Sequence, residues 1–218
     1  MKRLFLSLML AGAFAGMNAA TLDDSVEDNG AKGVNISVIP FGKHGLYVSN
    51  KEHGNDYVMK SVYTVEVSKE IGFGSMSSLL FLDYSHGELD YDNCDFNLPS
   101  GRLIPDFIDE TYYGLQMGFL VGNIINKKGR VKFPFYLGPT LGYENCGPIH
   151  NLTLNMQAML RMKVYLTPKF GLFVGARGSY GLGGKSAGEY GISAGKGEGL
   201  TLSAIHLGLE AGITFAIN

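Results

Sequence analysis

Between residues 151 and 168 the chain reads NLTLNMQAMLRMKVYLTP, and every second side chain is apolar: Leu152, Leu154, Met156, Ala158, Leu160, Met162, Val164 and Leu166. The intervening positions run Thr153, Asn155, Gln157, Met159, Arg161, Lys163 and Tyr165. A period of two predicts an extended strand with one apolar and one polar face. Its length of about sixteen residues is well beyond the usual five or six. Helical spacing would also group Leu152, Met156, Met159 and Leu160, so the segment is decided by its companions.

Seven companions exist. Period-two alternation recurs at roughly 34–41, 57–68, 76–86, 111–123, 131–144, 170–180 and 200–217, which with 151–166 makes eight predicted strands. The odd connections, 42–56, 87–110, 145–150 and 181–199, are mostly long. The even ones, 69–75, 124–130 and 167–169, are short. In an up-and-down barrel the odd connections share one rim and the even ones the other, so the pattern predicts long loops at one end and tight turns at the opposite end.

Alternation does not say which face is outside, because a soluble barrel around an apolar ligand would show the same period. Glycine separates the two. Gly114, Gly118, Gly122, Gly138, Gly142, Gly175, Gly208 and Gly212 all share the polar face with Gln116, Lys132, Thr140, Glu144, Arg161, Lys163, Arg177, His206, Glu210 and Thr214. The inside of an eight-stranded barrel is just wide enough for side chains, and small residues relieve that crowding. The polar, glycine-rich face is therefore expected inside and the apolar face against lipid. Tyr57, Tyr84, Tyr113, Tyr143 and Tyr180 each sit at the long-loop end of a strand, and a constant parity puts them on the apolar face. They are the expected aromatic girdle, with rings in the lipid and hydroxyls in the headgroup zone.

Composition fits this picture. Charged residues are only 17% of the 218, glycine numbers 31, and Tyr and Phe together supply 25 side chains. A net charge of −2 without a basic run gives no sign of a nucleic-acid partner. The opening MKRLFLSLMLAGAFAGMNAA has the basic, apolar and small-residue order of an export signal, with cleavage expected after about residue 15–20. Residues 21–33 are polar and acidic and are expected to form a flexible extension ahead of a barrel over 34–218.

On this architecture the chain resembles the small eight-stranded outer-membrane barrels of diderm bacteria, the OmpX, OmpW and OmpA-membrane-domain kind, catalogued as outer-membrane β-barrel domain proteins. The likeness covers about residues 34–218 and rests on leader, strand rhythm, loop asymmetry and girdle, with no short diagnostic motif. It implies an all-β fold: an eight-stranded antiparallel up-and-down transmembrane β-barrel in the cell outer membrane, in contact with lipid and lipopolysaccharide. Such families include adhesins, small channels, cell-wall tethers and lipid A-modifying enzymes. Two features depart from them: the chain ends on Asn218 rather than an aromatic residue, and Pro134 and Pro139 interrupt a predicted strand, where a bulge is expected.

Several residues could carry chemistry. Arg177 and Glu210 fall at matching heights on neighbouring strands and are expected to form a buried ion pair or a wider network that can include His206, within a polar interior that also holds Arg161 and Lys163. His206 and Glu210 lack a companion serine, and His86 in DYSHGE stands alone, so no catalytic set emerges. The run ELDYDNCDFN (88–97) offers oxygen ligands but lacks the glycine and terminal glutamate of a calcium loop, and reads as a solvated acidic loop. Cys94 and Cys146, the two cysteines, fall in odd connections and could form a bridge in an oxidising compartment. The Gly-rich stretch 181–199 resembles no phosphate cradle. No cofactor or metal is called for. The expectation is a non-enzymatic, monomeric barrel that displays surface loops for adhesion or binding of an extracellular macromolecule. A narrow channel or carrier stands as the alternative, and a lipid A-modifying enzyme ranks below both.

Overall fold

The computed structural model describes residues 33–49, 54–73, 76–90, 95–96, 111–126, 129–146, 149–188 and 201–216. Eight long strands follow one another: β1 (Gly33–Ser49), β2 (Gly54–Phe73), β3 (Met76–Leu89), β5 (Thr111–Ile125), β6 (Val131–Cys146), β7 (Ile149–Tyr165), β8 (Phe170–Gly188) and β9 (Thr201–Ala216). A two-residue strand, β4 (Asp95–Phe96), pairs with Asn55 and Asp56 of β2. Every long strand pairs antiparallel with its successor, and β1 pairs with both β2 and β9, so the sheet closes on itself. Closure satisfies the backbone without a free edge, which is what allows strands to cross a bilayer. Among the described residues no helix is long and apolar enough to do so. The proposed leader, the extension apart from Gly33, and Cys94 lie outside the described residues.

Burial alternates along each strand. On β7, Asn151, Thr153, Asn155, Gln157, Arg161 and Lys163 are buried, while Leu152, Leu154, Met156 and Leu160 are 39–56% exposed. The same reversal of a soluble protein holds on β3, β5 and β6, where Leu80, Leu82, Leu115, Met117, Phe119, Leu137 and Leu141 face out. An apolar belt on this scale around a polar interior is stable only against lipid. On β6 the belt runs from Phe133 to Tyr143, both exposed. Ten residues at about 3.3 Å, tilted about 40°, rise roughly 25 Å, the height of a membrane-barrel apolar band.

The interior glycines sit where no side chain fits. A Cβ on Gly118 would lie 2.6 Å from both Phe81 and Thr140, and one on Gly138 would lie 2.6 Å from the Phe119 carbonyl. Their neighbours therefore fill the space that the glycines leave.

The strands differ from expectation at three places. β1 and β2 continue through most of 42–56, leaving only 50–53 between them, and the connection at 145–150 contracts to 147–148. The widest separations between successive long strands are those from β3 to β5, which holds β4, and from β8 to β9. The bulge expected at Pro134 and Pro139 is absent, for β6 keeps one register along both β5 and β7. Each proline removes a single donor, and no residue is inserted to compensate. Bulges occur instead on β1 between Val38 and Phe41, beside Pro40, and on β2 between Lys60 and Tyr63, where Ser61 takes a left-handed φ of 55°. One extra residue reverses the parity of everything beyond it. On β1, Asn35, Ser37 and Ile39 point inward below the bulge, and His44 and Leu46 above it.

Candidate functional site

The lumen is packed in layers. Nearest the short-turn end, Lys163 donates to Glu70 (2.6 Å) and Asn35 (2.7 Å), while the Tyr136 hydroxyl donates to the same Glu70 carboxylate at 2.9 Å. One layer up, the Arg161 guanidinium spans the barrel. It meets Glu66 of β2 at 2.6 Å and Glu210 of β9 at 2.5 and 2.9 Å, and donates to Ser68 at 3.3 Å. Its face rests 4.8 Å from the Phe173 ring. Above that, Arg177 bridges Glu66 (2.9 Å) and Asp83 (2.7 Å). Leu79, Phe81, Leu120, Tyr136 and Met159 fill the β3–β5–β6–β7 side with apolar volume.

Toward the loop end the contents change. The His44 and His206 rings lie 4.4 Å apart; His44 Nδ1 is 3.0 Å from the Tyr112 hydroxyl, and His206 Nδ1 is 3.0 Å from Ser179 Oγ. His206 Nε2 lies 3.0 Å from Glu144 Oε1. Two voids of about 10 Å³ border this layer, each room for about one water. Leu46, Tyr57, Met59 and Leu89 point inward on β1, β2 and β3, beyond the bulges.

The five polar residues singled out from the sequence thus all face the lumen. Arg177 and Glu210 do not meet directly but share one network, through Glu66 and Arg161. Gly175 stands between Arg161 and Glu210 in the sheet, and its missing side chain lets the Arg161 guanidinium reach across β8 to Glu210. Arg177, opposite Gly208, extends to Glu66 and Asp83 instead. Glu66, Glu70, Asp83, His44, Tyr112 and Tyr136 were not singled out. Parity alone puts Glu66 and Glu70 inside, but no local signal links Glu66 to an arginine 95 positions away.

Four of the five girdle tyrosines, Tyr84, Tyr113, Tyr143 and Tyr180, are exposed on the outer wall. Tyr57 is the correction: it is 5% exposed and points inward, because the extra residue at Ser61 reverses the parity of β2 above it. At this rim the Tyr143 hydroxyl lies 2.8 Å from His150 Nδ1, and Asn145 Nδ2 donates to the Tyr113 hydroxyl at 3.0 Å. His86 packs its ring 5.3 Å from Tyr63. Cys146 ends β6; Cys94, its expected bridging partner, lies outside the described residues. Among the described residues no three His, Cys, Asp or Glu side chains converge as a metal set.

A closed antiparallel barrel of eight long strands, apolar outside and charged inside, defines a transmembrane β-barrel of the outer-membrane class. Among solved structures the chain is similar to a major outer membrane protein from Thermus thermophilus, at 13% identity and a TM-score of 0.50, over 85% of this chain and 98% of that one. It is also similar to the outer membrane protein OprG from Pseudomonas aeruginosa, at 8% and 0.49, over 87% and 99%. Neisserial surface protein A follows at 12% and 0.43, over 86% and 99%. At such identities the likeness is one of fold. No protein-family model and no curated protein sequence matches the chain.

Proposed function

We propose that this barrel is a non-enzymatic, monomeric frame that presents its outer connections at the cell surface, where they bind an extracellular macromolecule or lipopolysaccharide. The observation that carries the reading is the cross-barrel bridge from Glu66 through Arg161 to Glu210, every member of which is about 1% exposed. A passage for solutes would have to break a buried ion network, and removing one partner from such a network costs about 3–5 kcal/mol. A rigid, filled lumen suits a support better than a pore. The loop end also extends beyond the barrel wall as sheet, since β2 pairs there with both β1 and β4.

Planar-bilayer recording of the purified barrel tests the proposal against the channel alternative. Silent bilayers are expected, and steady unit conductance would replace the frame by a pore. In parallel, cells carrying the chain with 90–110 and 189–200 replaced by short turns should lose surface binding while keeping a folded barrel. Lipid A of unchanged mass on overexpression is expected as well, and a shifted mass would favour an enzyme.

A further inference from the structure

The charged groups of the lumen are partnered unevenly. Glu66, Glu70, Asp83 and Glu210 each meet an arginine or lysine within 2.9 Å. Glu144, 2% exposed, faces the His206 ring instead. The two groups lie 3.0 Å apart; Glu144 Oε1 accepts from Thr153 Oγ1 at 3.5 Å, but Glu144 Oε2 and His206 Nε2 are buried without a hydrogen-bond partner among the described residues. Asn151 stands directly opposite Glu144 in the β6–β7 ladder; it is fully buried, and neither of its amide atoms has a partner. A buried carboxylate oxygen, an imidazole nitrogen and an amide left without partners are unfavourable, so something not of the chain is expected among them.

We infer that the upper lumen binds a divalent transition-metal ion through His206 Nε2 and Glu144, with Asn151 supplying a neutral oxygen or holding a metal-bound water. Four features of the geometry favour it. Ligands about 2.0–2.2 Å from one metal ion lie roughly 3 Å from each other, as these two groups do, and they need no shared hydrogen. His206 Nδ1 is held by Ser179 Oγ at 3.0 Å, which orients the ring; with Nδ1–H as the donor, the Nε2 lone pair is left facing the carboxylate. Two acceptors so placed repel unless a cation lies between them. Beside them is a void of about 10 Å³, bordered by Glu144, His206, Tyr112 and Gln116. An imidazole ligand favours zinc, copper, iron or nickel over magnesium, calcium or manganese. Only two such side chains meet here, so water completes the sphere and the ion is exchangeable. The site is independent of what the outer connections bind.

The test is titration of the folded barrel in detergent with Co²⁺, read by visible absorption, and with Zn²⁺, read by calorimetry. One saturable ion per chain is expected. Glu144→Gln and His206→Gln should each weaken binding by at least ~10-fold. Because these lumen variants could fail to fold, the triple variant H53Q/H86Q/H150Q, which leaves His44 and His206 as the only histidines, is titrated as well. Retained one-to-one binding there supports the site. Loss of binding in that variant, or absence of saturable binding by the unsubstituted barrel, overturns it and leaves Glu144 and His206 as a pair sharing a proton.

Discussion

Arg161 and Glu66 meet at 2.6 Å across the barrel, from strands β7 and β2, which are not neighbours in the sheet. With Glu210 on the other side, Arg161 ties three separated strands into one cross-section. The substitution Arg161→Met should therefore leave the buried Glu210 without a cation and Glu66 with Arg177 alone, and lower stability by about 3–5 kcal/mol. Urea unfolding in detergent reads the loss. Combining it with Glu66→Gln and Glu210→Met should recover a large part, because no uncompensated charge then remains.

Gly175 lets that contact form. A Cβ there would lie 2.6 Å from the Leu160 carbonyl, 2.8 Å from Glu210 Oε1 and 3.0 Å from Arg161 Cγ. Gly175→Ala is expected to cost about 1–3 kcal/mol through overpacking. At Gly45 the nearest atom is 3.9 Å away, so Gly45→Ala should change the stability read from the same unfolding curve by less than ~0.5 kcal/mol.

Depth in the membrane sets the sensitivity of the outer wall. Leu137 lies near the middle of the exposed face of β6, four residues from Phe133 and six from Tyr143. Leu137→Arg should destabilise the barrel by about 2–4 kcal/mol in bilayers, whereas Tyr143→Arg at the rim should cost ~0–1 kcal/mol. Reversible folding into vesicles measures both.

The parity reversal at Ser61 has a direct optical consequence. The chain contains no tryptophan, so a single Trp reports its own surroundings. Tyr143→Trp should be quenched by brominated lipid, and Tyr57→Trp, facing the lumen, should not. Quenching at both positions would return Tyr57 to the girdle.

Ser61 itself holds φ 55°, a conformation that a non-glycine residue adopts at roughly 1–2 kcal/mol. Ser61→Gly is expected to raise the urea midpoint, and Ser61→Val to lower it.

The barrel class was legible because it depends on local alternation. Lipid outside and a cramped lumen inside impose opposite demands on successive residues, and eight runs recorded them without reference to one another. The glycines were informative for the same reason, since each marks a crowded inner position on its own strand. The side of each loop-end tyrosine was legible only where alternation is unbroken, as along Tyr143 and Tyr113. Tyr57 failed because the bulge at Ser61 is set by β1 and β3 as much as by β2.

The sequence by itself therefore determined a membrane barrel, its polar interior and the strand order, all of which follow from period and parity along one strand at a time. The tertiary structure alone decided which interior charges meet. Arg161 reaches Glu66 and Glu210 because closure brings distant strands across a narrow lumen and a glycine on β8 opens the way. The same closure places Glu144 against His206 rather than against an arginine. Pairing across a lumen depends on stagger, side-chain reach and the gaps between neighbours, none of which is carried by alternation.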